Sequence, residues 1–387
     1  MKIVHYLSEV VLAHGGVVRS VLDLCAALAR AEHTVHLLCF DDRDVPPEWK
    51  RQAPLTPRAH TLAQPQGLKP LRQFKKADTL RAEGIIAGAR ALHLHGPWEA
   101  TNPQLADIAR GRAVPYVVSV HGMLDDWTIR QGHLKKRLYL SLKGRAFLDR
   151  AAAVHCTAQA ELEQASRWFN PARARVLPLI IDLSLYRTPA PADAIADAAR
   201  AIQGPQDAPI LLFLSRLHVK KGLEHLIDAS ALLASQGIAN RLAIAGVADD
   251  PAYEHALRAR VARAGIESST TFLGLVTGPR KAALFQAARA SALPTSQENW
   301  GFSLLESLAC AVPVVTTRAV DIWNELEQSG GAVICEQTPR AFADALRPLL
   351  TDPARAASMG AAARRWVLSE LDAAAVLRRY EDLYRSL

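Results

Sequence analysis

Cysteine is scarce in this chain, and long apolar runs are absent from it. The five cysteines among 387 residues, Cys25, Cys39, Cys156, Cys310 and Cys335, stand far apart inside apolar runs, with no C-x-x-C spacing. That pattern argues against zinc and against a disulfide framework, and it fits small buried hydrophobes in a reducing compartment. No stretch approaches the ~20 uninterrupted apolar residues of a membrane span. The opening MKIVHYLSEV is a short strand pattern without a signal peptide's cleavage region. The chain is therefore expected in the cytoplasm. It has no internal repeat of solenoid length, no low-complexity tract and no G-x-G-x-x-G fingerprint.

What is present is length, apolar content and positive charge. At 387 residues, 50% of them hydrophobic, the chain exceeds what one core organises and predicts two domains. Short β-branched runs (KIVHYL, TVHLLCF, ALHLH, PYVVSVH) alternate with helical patterns in the first half. ILLFLS, RLAIAG, TTFLG, SALPTS, VPVVTT and AVIC repeat the rhythm in the second. Strand, helix, strand in that order predicts α/β domains with parallel sheets, whose ligands collect beyond the carboxyl ends of the strands. The expected division is 1–190, then a Pro/Ala/Asp-rich linker at Thr188–Pro209 with room for a helical turn or more, then 205–365, with a carboxy-terminal helix over 366–387 that packs back across both domains. The cleft between the domains is the default site. The net charge of +8 gathers in GLKPLRQFKK (67–76) and HLKKRLYLSLKGR (133–145), where cations interleave with Leu, Phe and Tyr. Such segments suit nucleic acid, anionic lipid, a phosphate-bearing acceptor, or simply a solvated face.

Four constellations stand where strands give way to helices. In AHGGVVRS, Gly15 and Gly16 permit a turn whose amides can approach an anion, with Arg19 one turn into the helix. PYVVSVHG ends at His121, which can donate to a sugar hydroxyl or steady developing charge. His93 and His95 share a strand face as a metal-type pair without a spaced third ligand, and are read as structural, with His95 toward the cleft. LLFLSRLHVKKG puts Arg216 past a strand and Lys221 before a helix at Leu223, which suits a pyrophosphate. In TSQENWGFSLLESLAC, Glu298 ends a strand and Gly301 lets the chain bend. The amides of Phe302 and Ser303 then open a helix, and Glu306 follows one turn later. Such amides bind phosphate, while a carboxylate accepts from two hydroxyls at once. Plainer roles are open to the same residues: an ordinary turn, a satisfied core histidine, loop solvent contacts for His218 and Lys220, a cap and a surface glutamate. DDRD at Asp41–Asp44 is read as solvated.

In this order and spacing, GG..R, VHG, SRL...KG and the E-x7-E pair resemble the retaining glycosyltransferases of family 4, over nearly the whole chain. HGPW, PYVVSVHGML and IWNEL are similar to the bacterial members that build surface polysaccharides or lipopolysaccharide. The resemblance implies a GT-B fold of two facing Rossmann-like domains, the amino-terminal one owning the acceptor and the carboxy-terminal one the nucleotide. It implies that Arg216 and Lys221 bind the donor diphosphate and stabilise its departure, helped by amides of Gly16, Phe302 and Ser303. Glu306 would hold the ribose, Glu298 and His121 the donor sugar, and backbone near Val276 the base. Neither metal nor cofactor is implied. The partners would be a nucleotide-sugar donor and a saccharide or lipid-linked acceptor, with no nucleic acid; the cationic-apolar segments beginning at Gly67 and His133 separately suggest peripheral contact at the inner membrane face.

The chain departs from the family pattern at Ala311, where a glycine is usual, and at Leu179 and Ile180, where Asn and Gly are usual. The aspartate common before LPTS is also missing. Three other readings compete. A glycosidase wants two carboxylates flanking a bond, but would not need cations and a phosphate turn beside them. A non-hydrolysing nucleotide-sugar epimerase of the same fold would convert donor alone. A cationic membrane or nucleic-acid binder would bind in a salt-sensitive way and ignore nucleotides.

Overall fold

The protein is described by a computed structural model over residues 1–67, 72–131 and 133–387. Leu68 to Leu71 of the first basic segment, and the side chains of His133 and Leu142 in the second, lie outside the described residues. The chain forms two compact units, Met1–Ile181 with Ala373–Leu387, and Asp182–Asp372.

The first unit is built on β1 (Lys2–Tyr6), β2 (Thr34–Cys39), β3 (Arg58–Thr61), β4 (Ala91–His95), β5 (Tyr116–Ser119), β6 (Ala153–Cys156) and β7 (Ala174–Val176). They lie in the order β3-β2-β1-β4-β5-β6-β7, with every pairing parallel. The strands read as near-continuous apolar runs because both faces are covered. One face packs Tyr6, Leu94, Tyr116 and Val118 among their neighbours, and the other Ile3, Leu37, Val117 and Ala153. The chain's last helix, Ala373–Ser386, covers the second face with Val376, Tyr380, Leu383 and Tyr384. Its apolar stripe recurs at three- and four-residue spacing, as a helix lying on a sheet requires. Period-two alternation then dictates what sits beneath it. His5 on β1, His93 and His95 on β4, Ser119 on β5 and His155 on β6 all share the face of Ile3, Ala91, Val117 and Ala153.

The second unit holds β8 (Ile210–Leu214), β9 (Arg241–Ala245), β10 (Thr270–Gly274), β11 (Ala290–Leu293), β12 (Val314–Thr316) and β13 (Ala332–Ile334), in the order β10-β9-β8-β11-β12-β13, again all parallel. Both sheets reverse direction beside their first strand, at β1/β4 and at β8/β11, the switch points where Rossmann-like sheets bind ligands. The Pro/Ala/Asp-rich stretch read as a linker lies within this unit, where its helix Ala192–Arg200 packs on the helix Gly278–Ala287. Among the described residues, no helix is long and apolar enough to cross a membrane.

Ala311 has a physical consequence here. It adopts φ +60°, the left-handed region that favours glycine, at the end of the helix Phe302–Ala309. Its carbonyl faces Gly360 of the helix Pro353–Glu370, where any Cβ would collide with that oxygen. The turn is thus held in a conformation alanine disfavours. Ala311→Gly is expected to stabilise the second unit by about 0.5–1 kcal/mol, relief of strain outweighing the added freedom of the unfolded chain. The reading is a higher urea midpoint, and a lower one would show that Ala311 is unstrained.

Candidate active site

At the β8/β11 switch point three segments meet. Past β8, Arg216 Nη1 donates to Asp249 Oδ2 at 3.0 Å, an exposed pair. The chain then makes a short turn over Val219–Lys221 and reaches Gly222 at φ +63°, where a Cβ would collide with the Pro294 carbonyl. Only glycine lets the backbone press so closely on the end of β11. That approach buries Lys221, whose ammonium pairs with Glu298. Glu298 is fixed by its own backbone, its amide donating to Ala319 O at 2.8 Å and its carbonyl accepting from Asp321 N at 2.9 Å. Burial pushes the Glu298 carboxyl up, and the charges of Lys221, Lys220 and Arg216 more than reverse this, leaving it below the usual carboxylate range. Arg216, Lys220, Lys221 and Glu298 therefore share one field.

Three residues on, Gly301 takes φ +68° and opens the helix Phe302–Ala309 with no side-chain cap, so the amides of Phe302 and Ser303 start it bare. Glu306, in the second turn, faces Lys281 of the helix Gly278–Ala287, with Nζ 2.5 Å from Oε2. That contact is one of charge and distance. Oε2 is buried against that ammonium, so the pair fixes where the Glu306 carboxylate sits. Val276 is buried four residues beyond Phe272 and just ahead of the helix that carries Lys281.

In the first unit, Gly15 (φ +104°) starts the helix Gly16–Arg30 with no side-chain cap, and Arg19 is drawn along that helix onto Asp23 at 2.9 Å. His121 follows β5 in the left-handed region at φ +51°, nearly buried. Gly122 behind it donates its amide to the buried Glu161 carboxylate, which also takes Thr157 N and, at 2.8 Å, its hydroxyl. His121 Nε2 lies 3.0 Å from His95 Nδ1. The expectation that His93 and His95 lack a third partner is corrected by His5, which β1 places beside them in register. That neighbour comes from a strand some ninety residues away in sequence, so no local spacing announces it. Asp42 pairs with Lys50 and Thr61, and Asp41 with Arg43, as a solvated acidic loop would.

Sequence reasoning also missed Lys281, Asp249 and Glu161. The available signal for Lys281 was a lone lysine one turn into the helix after FLGLV. For the two acids there was none, since each meets its partner through the fold.

Two family models match the chain: "Glycosyl transferase 4-like domain" over residues 15–179 and "Glycosyl transferases group 1" over 196–366. Among curated proteins, it is 31% identical over 211 residues to a D-inositol 3-phosphate glycosyltransferase of Kineococcus radiotolerans, covering 51% of this chain and 48% of that protein. To a namesake from Catenulispora acidiphila it is 30% identical over 269 residues, 66% and 63% of the two chains. A GDP-mannose-dependent alpha-(1-6)-phosphatidylinositol dimannoside mannosyltransferase of Mycobacterium tuberculosis is 33% identical over 147 residues, 38% of this chain and 36% of that one. The chain spans about half the length of the curated relatives it matches (48% of the first). Among solved structures, Anabaena HepE in complex with UDP aligns over 100% of both chains with TM-score 0.80 and 19% identity. Sucrose-phosphate synthase from Thermosynechococcus elongatus aligns over 100% of this chain and 98% of its own with TM-score 0.78 and 21% identity. At such identities the likeness is one of fold.

Proposed function

The chain belongs to the glycosyl transferases, 4-like in its amino-terminal half and group 1 in its carboxy-terminal half, and from that membership we propose that it moves a sugar, with retention, from a nucleotide-diphosphate sugar to a saccharide or lipid-linked acceptor. The observation that carries this reading is the pair of buried Lys221 with half-buried Glu298 beside the uncapped helix start at Gly301, with Arg216 in the same field. Cation, carboxylate and bare amides within one segment suit diphosphate, sugar hydroxyls and phosphate oxygens together.

In the proposed reaction the acceptor hydroxyl approaches the anomeric carbon from the face that the diphosphate leaves. The C–O bond to phosphate breaks, the bond to the acceptor oxygen forms, and the departing phosphate oxygen takes the acceptor's proton. The protein's part is positioning and charge. Arg216, Lys221 and the amides of Phe302 and Ser303 meet the negative charge as it grows on the leaving group, the place where preorganised charge does most for the rate. These cations stand in the role a divalent ion plays elsewhere, and no cofactor is called on. Glu298 orients the sugar, Glu306 takes the ribose hydroxyls, backbone at Val276 meets the base, and His121 contributes a contact to a sugar hydroxyl, with Gly15, Gly16 and Arg19 following β1, two strands from β5. Use of the product in surface polysaccharide, and peripheral contact of the basic segments with the inner membrane leaflet, belong to the same proposal.

A thermal-shift panel of UDP, GDP, ADP and their sugar conjugates tests it. UDP and GDP come first because HepE was solved with UDP and the mycobacterial relative is named for GDP-mannose. Ligand at 100 times its dissociation constant adds about 2.7 kcal/mol of stability. One nucleotide should shift the wild type and fail to shift Glu306→Ala, which loses the ribose acceptor. No shift with any of them sinks the donor site, and an equal shift in the variant removes Glu306 from it.

A further inference from the structure

Beneath the carboxy-terminal helix of the first unit run two hydrogen-bonded chains of buried histidines, one closed and one open. In the closed chain, the Leu177 carbonyl, 2.9 Å from His155 Nε2, can only accept, so His155 carries its proton on Nε2. The rest follows by elimination. His155 Nδ1 accepts from Ser119 Oγ at 2.6 Å, the serine oxygen accepts from His93 Nε2 at 2.7 Å, and His93 Nδ1 accepts from the Tyr384 hydroxyl at 2.7 Å. Every nitrogen is satisfied, and the chain's role is to hold the sheet and the last helix together.

The open chain has no such anchor. His5 Nδ1 lies 3.1 Å from His95 Nε2, and His95 Nδ1 lies 3.0 Å from His121 Nε2. The outer nitrogens, His5 Nε2 and His121 Nδ1, are buried without a hydrogen-bond partner among the described residues. We propose that the chain His5–His95–His121 locks His121 in the tautomer that presents a neutral N–H at Nδ1 to a sugar hydroxyl oxygen, which makes His5 and His95 positioning residues for it. This rests on the reading that His121 meets the transferred sugar.

The argument is one of shared protons. A neutral imidazole donates from one nitrogen and accepts at the other, so two successive links tie three tautomers together. Either every Nδ1 carries the proton, or every Nε2 does. The second register strands an N–H at His5, which is fully buried in the core, whereas the first puts it at His121, which is 6% exposed at the strand end. Each register leaves one N–H and one lone pair without a partner, and the first leaves the N–H at the strand end, where a sugar hydroxyl can take it, so the first register is favoured. Burial holds His5 and His121 down at about 3 and His95 well below its ordinary range, which keeps the whole chain uncharged at cellular pH. The left-handed backbone at His121 and the Glu161 carboxylate on the next amide hold the ring in place.

His5, His93 and His95 also have the spacing of a metal triad, each offering an atom within 4.8 Å of the others. Their rings stack, however, His93 on His95 at 4.4 Å and His5 on His95 at 11° between planes. Both nitrogens of His93 and of His95 are engaged elsewhere. An ion would have to break those bonds, whereas the tautomer lock uses them.

The test is a long-range proton–nitrogen NMR correlation on the full-length protein with labelled histidine, without ligand, near neutral pH. The expected result is an Nδ1-protonated ring at His5, His95 and His121. An Nε2-protonated His121 overturns the proposal. Zinc titrated into the same sample should leave these signals unchanged, and stoichiometric binding at His5, His93 and His95 also overturns it. His5→Phe, two rings away from the sugar contact, should release His121 toward the Nε2 form and lower kcat about tenfold, the worth of one well-placed neutral hydrogen bond, with nucleotide KM unchanged. An unmoved tautomer in that variant again counts against the lock. Because the wild-type spectrum needs neither ligand nor turnover, its outcome is independent of whether the transferase reading survives.

Discussion

Glu298→Gln is expected to lower turnover about 100- to 1000-fold while nucleotide affinity stays near that of the wild type. The amide keeps the shape of the side chain and removes its charge, so what is lost is the interaction that strengthens as positive character develops on the sugar. An interaction realised mainly in the transition state appears in kcat rather than in binding. Glu306→Ala should show the opposite division, because the ribose is held alike before and during the reaction. The substitution has a structural cost as well. Lys221 is buried and pairs with Glu298, so the variant leaves a desolvated cation without its counter-charge, a loss of about 3 kcal/mol in the second unit. Kinetics are therefore read well below the variant's melting temperature. The Glu298 carboxyl is held below the usual carboxylate range, so it is ionised throughout neutral pH and contributes no acid limb to the wild-type rate there. Steady-state kinetics beside nucleotide calorimetry decide the matter. Undiminished kcat, or an affinity loss with kcat intact, would remove Glu298 from the reacting centre.

Much of this fold is visible in the chain because both sheets are parallel and covered on both faces. Strands such as ILLFLS and RLAIAG then read as short apolar runs, and the alternation with helices identifies two Rossmann-like units. The helix Leu223–Ser235 has the bounds its pattern suggests, since Gly222 marks its start and its apolar residues recur at helical spacing. What escapes is what depends on contacts far apart in sequence. Lys281 meets Glu306, Asp249 meets Arg216 and Glu161 meets Gly122 only after the sheets have formed. No periodicity marks such pairs. The 188–209 stretch, read as a linker with room for a helical turn or more, is legible only in part. Its Pro and Asp residues resemble a linker, yet the alanines between them make a helix with one face suited to packing on its neighbour. Arg19 shows the limit of position alone. Its place one turn into a helix suits an anion, but a carboxylate four residues on is near enough to take the guanidinium.

The histidine face of the first unit also makes that unit sensitive to acid. His5, His93, His95, His121 and His155 are all buried and neutral, with burial lowering His5 and His121 to about 3, His155 to about 4, and His93 and His95 well below their ordinary range. In the unfolded chain each titrates near 6.5. Between that value and the lowered ones the unfolded state binds protons that the folded state refuses, so stability falls as pH falls. The contribution is complete above about pH 7.5. By pH 6 each histidine has withdrawn roughly 0.8 kcal/mol, about 4 kcal/mol together, and below that each removes about 1.4 kcal/mol per pH unit. A domain's whole stability is only about 5–15 kcal/mol, so the first unit should unfold cooperatively near pH 5–5.5. The second unit lacks such a cluster and should outlast it. Hydrogen exchange at β1 and β4 compared with β8 and β11, corrected for the intrinsic pH dependence, separates the two. Stability of β1 and β4 that declines with pH no faster than that of β8 and β11 would mean the imidazoles accept protons in the folded state. It would also break the tautomer chain at His121, since a protonated ring donates from both nitrogens. Loss of activity in mild acid should accordingly follow the unfolding of this face, not the titration of any group that touches substrate.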